Sequence, residues 1–99
     1  MSINKMQNGT TLTIEYEGRL DTTTAPELET EVKASIEGIK ELIFDFKNLE
    51  YISSAGLRVL LSCQKIMNKQ GTMEIRNVND TVMEVFDVTG FSDILTIRK

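Results

Sequence analysis

Histidine and tryptophan are absent from the 99 residues, and cysteine and proline occur once each, as Cys63 and Pro26. Each gap excludes a class of chemistry. Without histidine the chain cannot build a Ser-His-Asp triad from its own residues, use an imidazole as a proton shuttle, or carry phosphohistidine. One cysteine and no histidine cannot close the usual zinc sets, and a single cysteine allows no intrachain disulfide, which suits a reducing compartment. No apolar run approaches the ~20 residues of a membrane-spanning helix, and the opening MSINKMQNGT lacks the apolar core of a signal peptide. Basic residues are outnumbered, 11 against 15, for a formal net charge of -4. Nucleic acid and anionic membrane surfaces call for the opposite sign. The expectation is one cytoplasmic domain over residues 1–99, with no cofactor, no metal and no direct nucleic-acid or membrane partner.

What is present reads as alternating strands and helices. Thr11 to Glu17 alternates Leu12, Ile14 and Tyr16 with polar residues, the period of a half-buried strand. Ile3 and Met6 suggest a partner strand, with Gln7-Asn8-Gly9 as the turn, since Asn-Gly is a strong hairpin signal, and Gly18 marks the strand's end. Thr24 and Glu27 have capping-box spacing around Pro26. Ala25, Leu28, Val32 and Ile36 then trace one helical face that stops at Gly38. The dense run Glu41 to Phe46 predicts a central strand, with Asn48 to Tyr51 as its exit loop. From Ser54 to Gln70, Val59, Leu60, Cys63, Ile66 and Met67 share an apolar arc, opposite Arg58, Lys65 and Lys69. Thr72 to Arg76 predicts another strand. A third helix is expected between Asn79 or Asp80 and Gly90, then a short turn over 91–94 and a last strand over Leu95 to Ile97. Such an order predicts an α/β fold with a mixed four- to five-stranded sheet and helices mainly on one face. Binding sites in such sheets form where strands hand over to helices.

The adjacent pair Ser53-Ser54 sits at one such junction. A serine there can simply cap the helix. A nucleophile is poorly supported, because the G-x-S-x-G elbow is missing and Lys65 and Lys69 lie on the outer helix face. A third reading is a phosphate acceptor. A helix N-terminus carries unpaired N–H groups and partial positive charge, and the small neighbours Ala55 and Gly56 leave room for a kinase to approach.

Several segments taken together resemble one family. They are Gly18-Arg19-Leu20-Asp21, Leu42 to Phe46 with Leu49 to Ile52, Ser53-Ser54-Ala55-Gly56-Leu57, and Val85-Phe86-Asp87-Val88-Thr89-Gly90-Phe91. In this order they resemble the STAS domain of anti-sigma factor antagonists, over essentially the whole chain. The resemblance implies a non-enzymatic protein that binds an anti-sigma factor serine kinase when unphosphorylated, so that the sigma factor is freed. A serine phosphatase reverses the mark. The family's usual junction is Asp-Ser-Ser/Thr-Gly-Leu, with the serine after the aspartate as acceptor. Matching Gly56-Leu57 to Gly-Leu places Ser54 at the acceptor position and Ser53 where the aspartate stands, with Ser53 as the rival acceptor. Asp21 matches the family's acid in the loop before the first helix, although a plain Asx turn would also explain it. Thr22, Ala55 and Arg58 are candidate partner contacts, and a monomer or weak dimer is expected. The competing readings are a STAS scaffold subunit of a larger signalling assembly, and a nucleotide or lipid sensor. No glycine-rich phosphate loop supports the sensor.

Overall fold

The computed structural model describes residues 2–98. Its five strands lie in chain order across one sheet: β1 (Ser2–Asn8), β2 (Thr11–Leu20), β3 (Glu41–Ile52), β4 (Thr72–Arg76) and β5 (Ile97–Arg98). The first pair is an antiparallel hairpin, and β2 through β5 are parallel. Each parallel step is bridged by a helix: α1 (Ala25–Ser35), α2 (Ser54–Gln70) and α3 (Asp80–Thr89). A short 3₁₀ turn, Phe91–Asp93, precedes β5. Because the sheet always grows in one direction and such crossovers are right-handed, all three helices fall on the same face. The burial pattern agrees. Leu12, Ile14 and Tyr16 of β2 are buried, while Thr11, Thr13 and Glu15 on the opposite face are only half-covered.

The core joins that covered face to the apolar sides of the helices. Phe44 and Phe46 of β3 have ring centroids 5.5 Å apart. Leu28 and Val32 of α1, Leu60, Cys63 and Met67 of α2, and Phe86 of α3 pack against it. The apolar arc expected on α2 is therefore the core face, with Ile66 at its edge.

Four boundaries differ from the sequence expectation. Gly18 does not end β2, and Asn48 to Tyr51 is not a loop. Both strands run on as partners, Gly18 opposite Leu49 and Leu20 opposite Ile52, across two register shifts that follow Glu15 and Gly18. The added residues disturb the alternation that marks a strand in sequence while the ladder itself persists. The capping box does not form either: Thr24 makes no side-chain cap bond to α1. Finally, β5 is Ile97–Arg98, starting two residues later and ending one later than expected, and Leu95 is a buried core residue before it.

Candidate functional site

The extended tails of β2 and β3 carry the chain to one corner. There the Ser53 amide donates to the Leu20 carbonyl at 2.9 Å, fastening the start of α2 to the end of β2. The Leu57 amide donates to the Ser53 carbonyl at 3.0 Å, which opens the helix. Gly56 lies in this first turn, against both strand ends. A Cβ built there would stand 2.8 Å from Leu20 Cγ and from Ile52 Cγ1. A side chain would thus lift α2 off the sheet, so the glycine sets how deeply the helix mouth is seated.

The two serines diverge at this point. Ser54 is the first helical residue and is exposed. Ser53 is the N-cap residue, in extended backbone at φ -100° and ψ 178°, yet its hydroxyl caps nothing. Its oxygen is closed off from solvent and has no hydrogen-bond partner. The first turn of α2 contains no acidic residue. Its partial positive charge is therefore unopposed by a side chain of its own turn.

The β2–α1 loop borders the corner and is braced by its own hydrogen bonds. Asp21 Oδ1 accepts from the Thr23 amide at 3.0 Å and the Thr24 amide at 3.2 Å. The Asp21 amide donates to Thr24 Oγ1 at 2.9 Å. The Arg19 carbonyl accepts from Tyr16 Oη at 2.6 Å and from Thr24 Oγ1 at 2.8 Å. Thr24 thus spends its hydroxyl on the loop, which explains the missing cap bond. The amide of Thr24 is the main reason the Asp21 carboxyl is held below its ordinary value, followed by the Thr23 amide, the Thr24 hydroxyl and Arg19. Asp21 faces its own loop in the manner of an Asx turn.

Two shallow depressions flank the corner. One is lined by Thr22, Ala25, Pro26, Glu29, Ala55, Arg58 and Val59, between the starts of α1 and α2. It brings three expected contact residues together: Thr22, Ala55 and Arg58. The other is lined by Gly18, Arg19, Asp21, Thr23, Thr24 and Glu50. Arg19 there stacks its guanidinium 4.4 Å from the centroid of the Tyr51 ring, with Nε 3.8 Å from Asp21 Oδ2. Arg19 and Tyr51 were not among the expected site residues. They oppose each other in register, a neighbourhood invisible while Tyr51 is read as loop.

Among the described residues no group of histidine, cysteine, aspartate or glutamate side chains is arranged to hold a metal ion. No helix is long and apolar enough to cross a membrane.

The model of the STAS domain matches residues 2–99, and the chain belongs to that family. The anti-sigma-B factor antagonist of Bacillus subtilis is 28% identical over 98 residues, covering 98% of this chain and 90% of that protein. The BtrV protein of Bordetella bronchiseptica is 35% identical over 83 residues, covering 82% of this chain and 72% of that protein. Among solved structures, an anti-sigma factor antagonist from Mycobacterium paratuberculosis superimposes with a TM-score of 0.89 at 18% identity, over 98% of this chain and 84% of that one. The Bacillus cell fate determinant SpoIIAA in its phosphorylated form gives 0.76 at 19% identity, over 99% of this chain and 92% of that one. At such identities these structures establish the shared fold.

Proposed function

We propose that this chain is an anti-sigma factor antagonist that binds an anti-sigma serine kinase through the α2 corner and is released when Ser54 is phosphorylated. The observation that carries the reading is the contrast between the serines: Ser54 is exposed at the first position of α2, whereas the Ser53 oxygen is closed off from solvent. A kinase can reach the first hydroxyl and not the second. The kinship with an anti-sigma-B factor antagonist supports the partner class, and a protein of the same fold exists in a phosphorylated form.

The physics of the switch follows from position. The phosphate adds roughly -1.5 to -2 charges at neutral pH. At the first turn of a long helix its own protein tolerates it, because free N–H groups and the helix dipole favour an anion there. A partner seated over Thr22, Ala55 and Arg58 meets the same charge as a steric and electrostatic intrusion. Losing a good contact and desolvating the phosphate costs about 3 kcal/mol, or roughly a hundredfold in affinity. The chain acts by occupying a surface rather than by catalysis, and a serine phosphatase restores the binding form.

The test is to incubate the purified chain with the anti-sigma kinase of its own organism and ATP, then map phosphate by peptide mass spectrometry. One phosphate on Ser54, lost in Ser54→Ala, is expected. Phosphate on another residue alone would refute the assignment.

A further inference from the structure

Ser53 holds the one serine hydroxyl oxygen among the described residues that is both closed to solvent and unpartnered. A buried hydroxyl in that condition is destabilising relative to a bonded one, and such atoms call for an explanation. Its surroundings leave little freedom. The backbone is pinned on one side by the bond from the Ser53 amide to Leu20 O, and on the other by the bond from Leu57 N to Ser53 O. Gly56 is wedged against Leu20 and Ile52, so the helix cannot slide inward. What remains adjustable is the side-chain torsion of Ser53. The backbone is already extended, as in an N-cap residue whose oxygen points over the helix end.

We propose that Ser53 is a positioning residue for the modified state: its side chain turns outward when Ser54 carries a phosphate and donates its O–H to a phosphate oxygen. This rests on the reading of Ser54 as the acceptor. No bond is made or broken. One hydroxyl leaves an unpartnered interior position and gains a charge-assisted hydrogen bond, which is stronger than a neutral one. The two serines then form a unit. The outer one receives the group, and the inner one holds it over the helix mouth, where the first-turn amides also point. Unmodified protein carries the cost of the idle hydroxyl, and phosphorylated protein recovers it.

The proposal is tested on the full chain with phosphoserine installed at position 54 by genetic encoding, followed by phosphorus NMR across pH. Donation by Ser53 stabilises the phosphate dianion, so Ser53→Ala raises the phosphate's second pKa by about half to one unit, and Ser53→Thr, which keeps the hydroxyl, brings it back. In unmodified protein Ser53→Ala melts at the same temperature as wild type or higher. A phosphate that titrates identically in wild type and Ser53→Ala overturns the proposal. So does a loss of stability in unmodified Ser53→Ala, since that would mean the hydroxyl already had a partner. The phosphate is installed without a kinase, so a chain that no kinase modifies would sink the functional reading and leave this titration standing.

Discussion

Ser53 and Ser54 are neighbours with the same side chain, separated by the burial of their hydroxyls and by one step across the helix boundary. Their order was legible in the sequence, where the run of Ser53-Ser54-Ala55-Gly56-Leu57 suggests a strand-to-helix junction. Which oxygen faces outward was not legible, because both positions suit a cap. The answer depends on a hydrogen bond from Ser53 to Leu20, residues far apart in the chain. Gly56 gives a prediction at this scale. In Gly56→Ala the new methyl would meet Leu20 and Ile52 at 2.8 Å, and urea unfolding should show a loss of about 1–3 kcal/mol. A variant as stable as wild type would mean that the helix mouth is not seated as described. Asp21 gives a second. Its folded-state pKa is lowered from 3.8, chiefly by the Thr24 amide. The stabilisation is therefore present above the unfolded value and is lost as pH falls through the lower folded value. Asp21→Asn should be less stable than wild type at neutral pH, and the gap should close in acid, as followed by thermal melts across pH. A gap constant with pH would show that the carboxylate's charge is irrelevant.

At the scale of elements, helices were easier to read than strand ends. The spacing of Leu28, Val32, Leu60, Cys63 and Met67 belongs to the helix itself, so it survives in the sequence. The tails of β2 and β3 owe their existence to each other. Neither Gly18-Arg19-Leu20 nor Asn48-Leu49-Glu50-Tyr51 alternates cleanly, and the shifts in register hide the pairing. This matters for the proposed function, because those tails carry Arg19, Tyr51 and the floor beneath Gly56. The Thr24–Glu27 spacing misled for a related reason: a capping oxygen accepts, so other donors compete for it, and here the Asp21 amide donates to Thr24 Oγ1 at 2.9 Å. Asn79 behaves as expected of a cap, accepting from the Val82 amide at 2.8 Å while its amide group donates to Leu49 O at 2.8 Å. Asn79→Ala should cost about 1 kcal/mol or more in denaturant unfolding; no loss would contradict a working cap. Cys63 on the inner face of α2 has its thiol pushed up to about 12 by burial. A disulfide reagent at mildly alkaline pH should label it only as fast as the chain unfolds, and immediate labelling would contradict the packing of α2.

For the whole molecule, a monotonic strand order puts every helix on one face and gathers the starts of α1 and α2 beside the same strand tails. The fold class was readable from the alternation of elements, and family membership from motifs spread over the chain. Of the proposed contact residues, Thr22, Ala55 and Arg58 line one depression, and Asp21 turns toward its own loop. A switch protein of this kind should run in size-exclusion chromatography as a monomer or weak dimer; a large stable assembly would favour the scaffold reading instead. The most direct test of the central claim is calorimetric titration of the anti-sigma kinase from the same organism with two forms of the chain, one unmodified and one bearing phosphoserine at position 54. Binding weaker by about a hundredfold in the modified form is the expected result. Equal affinity of the two forms would contradict a switch at the mouth of α2.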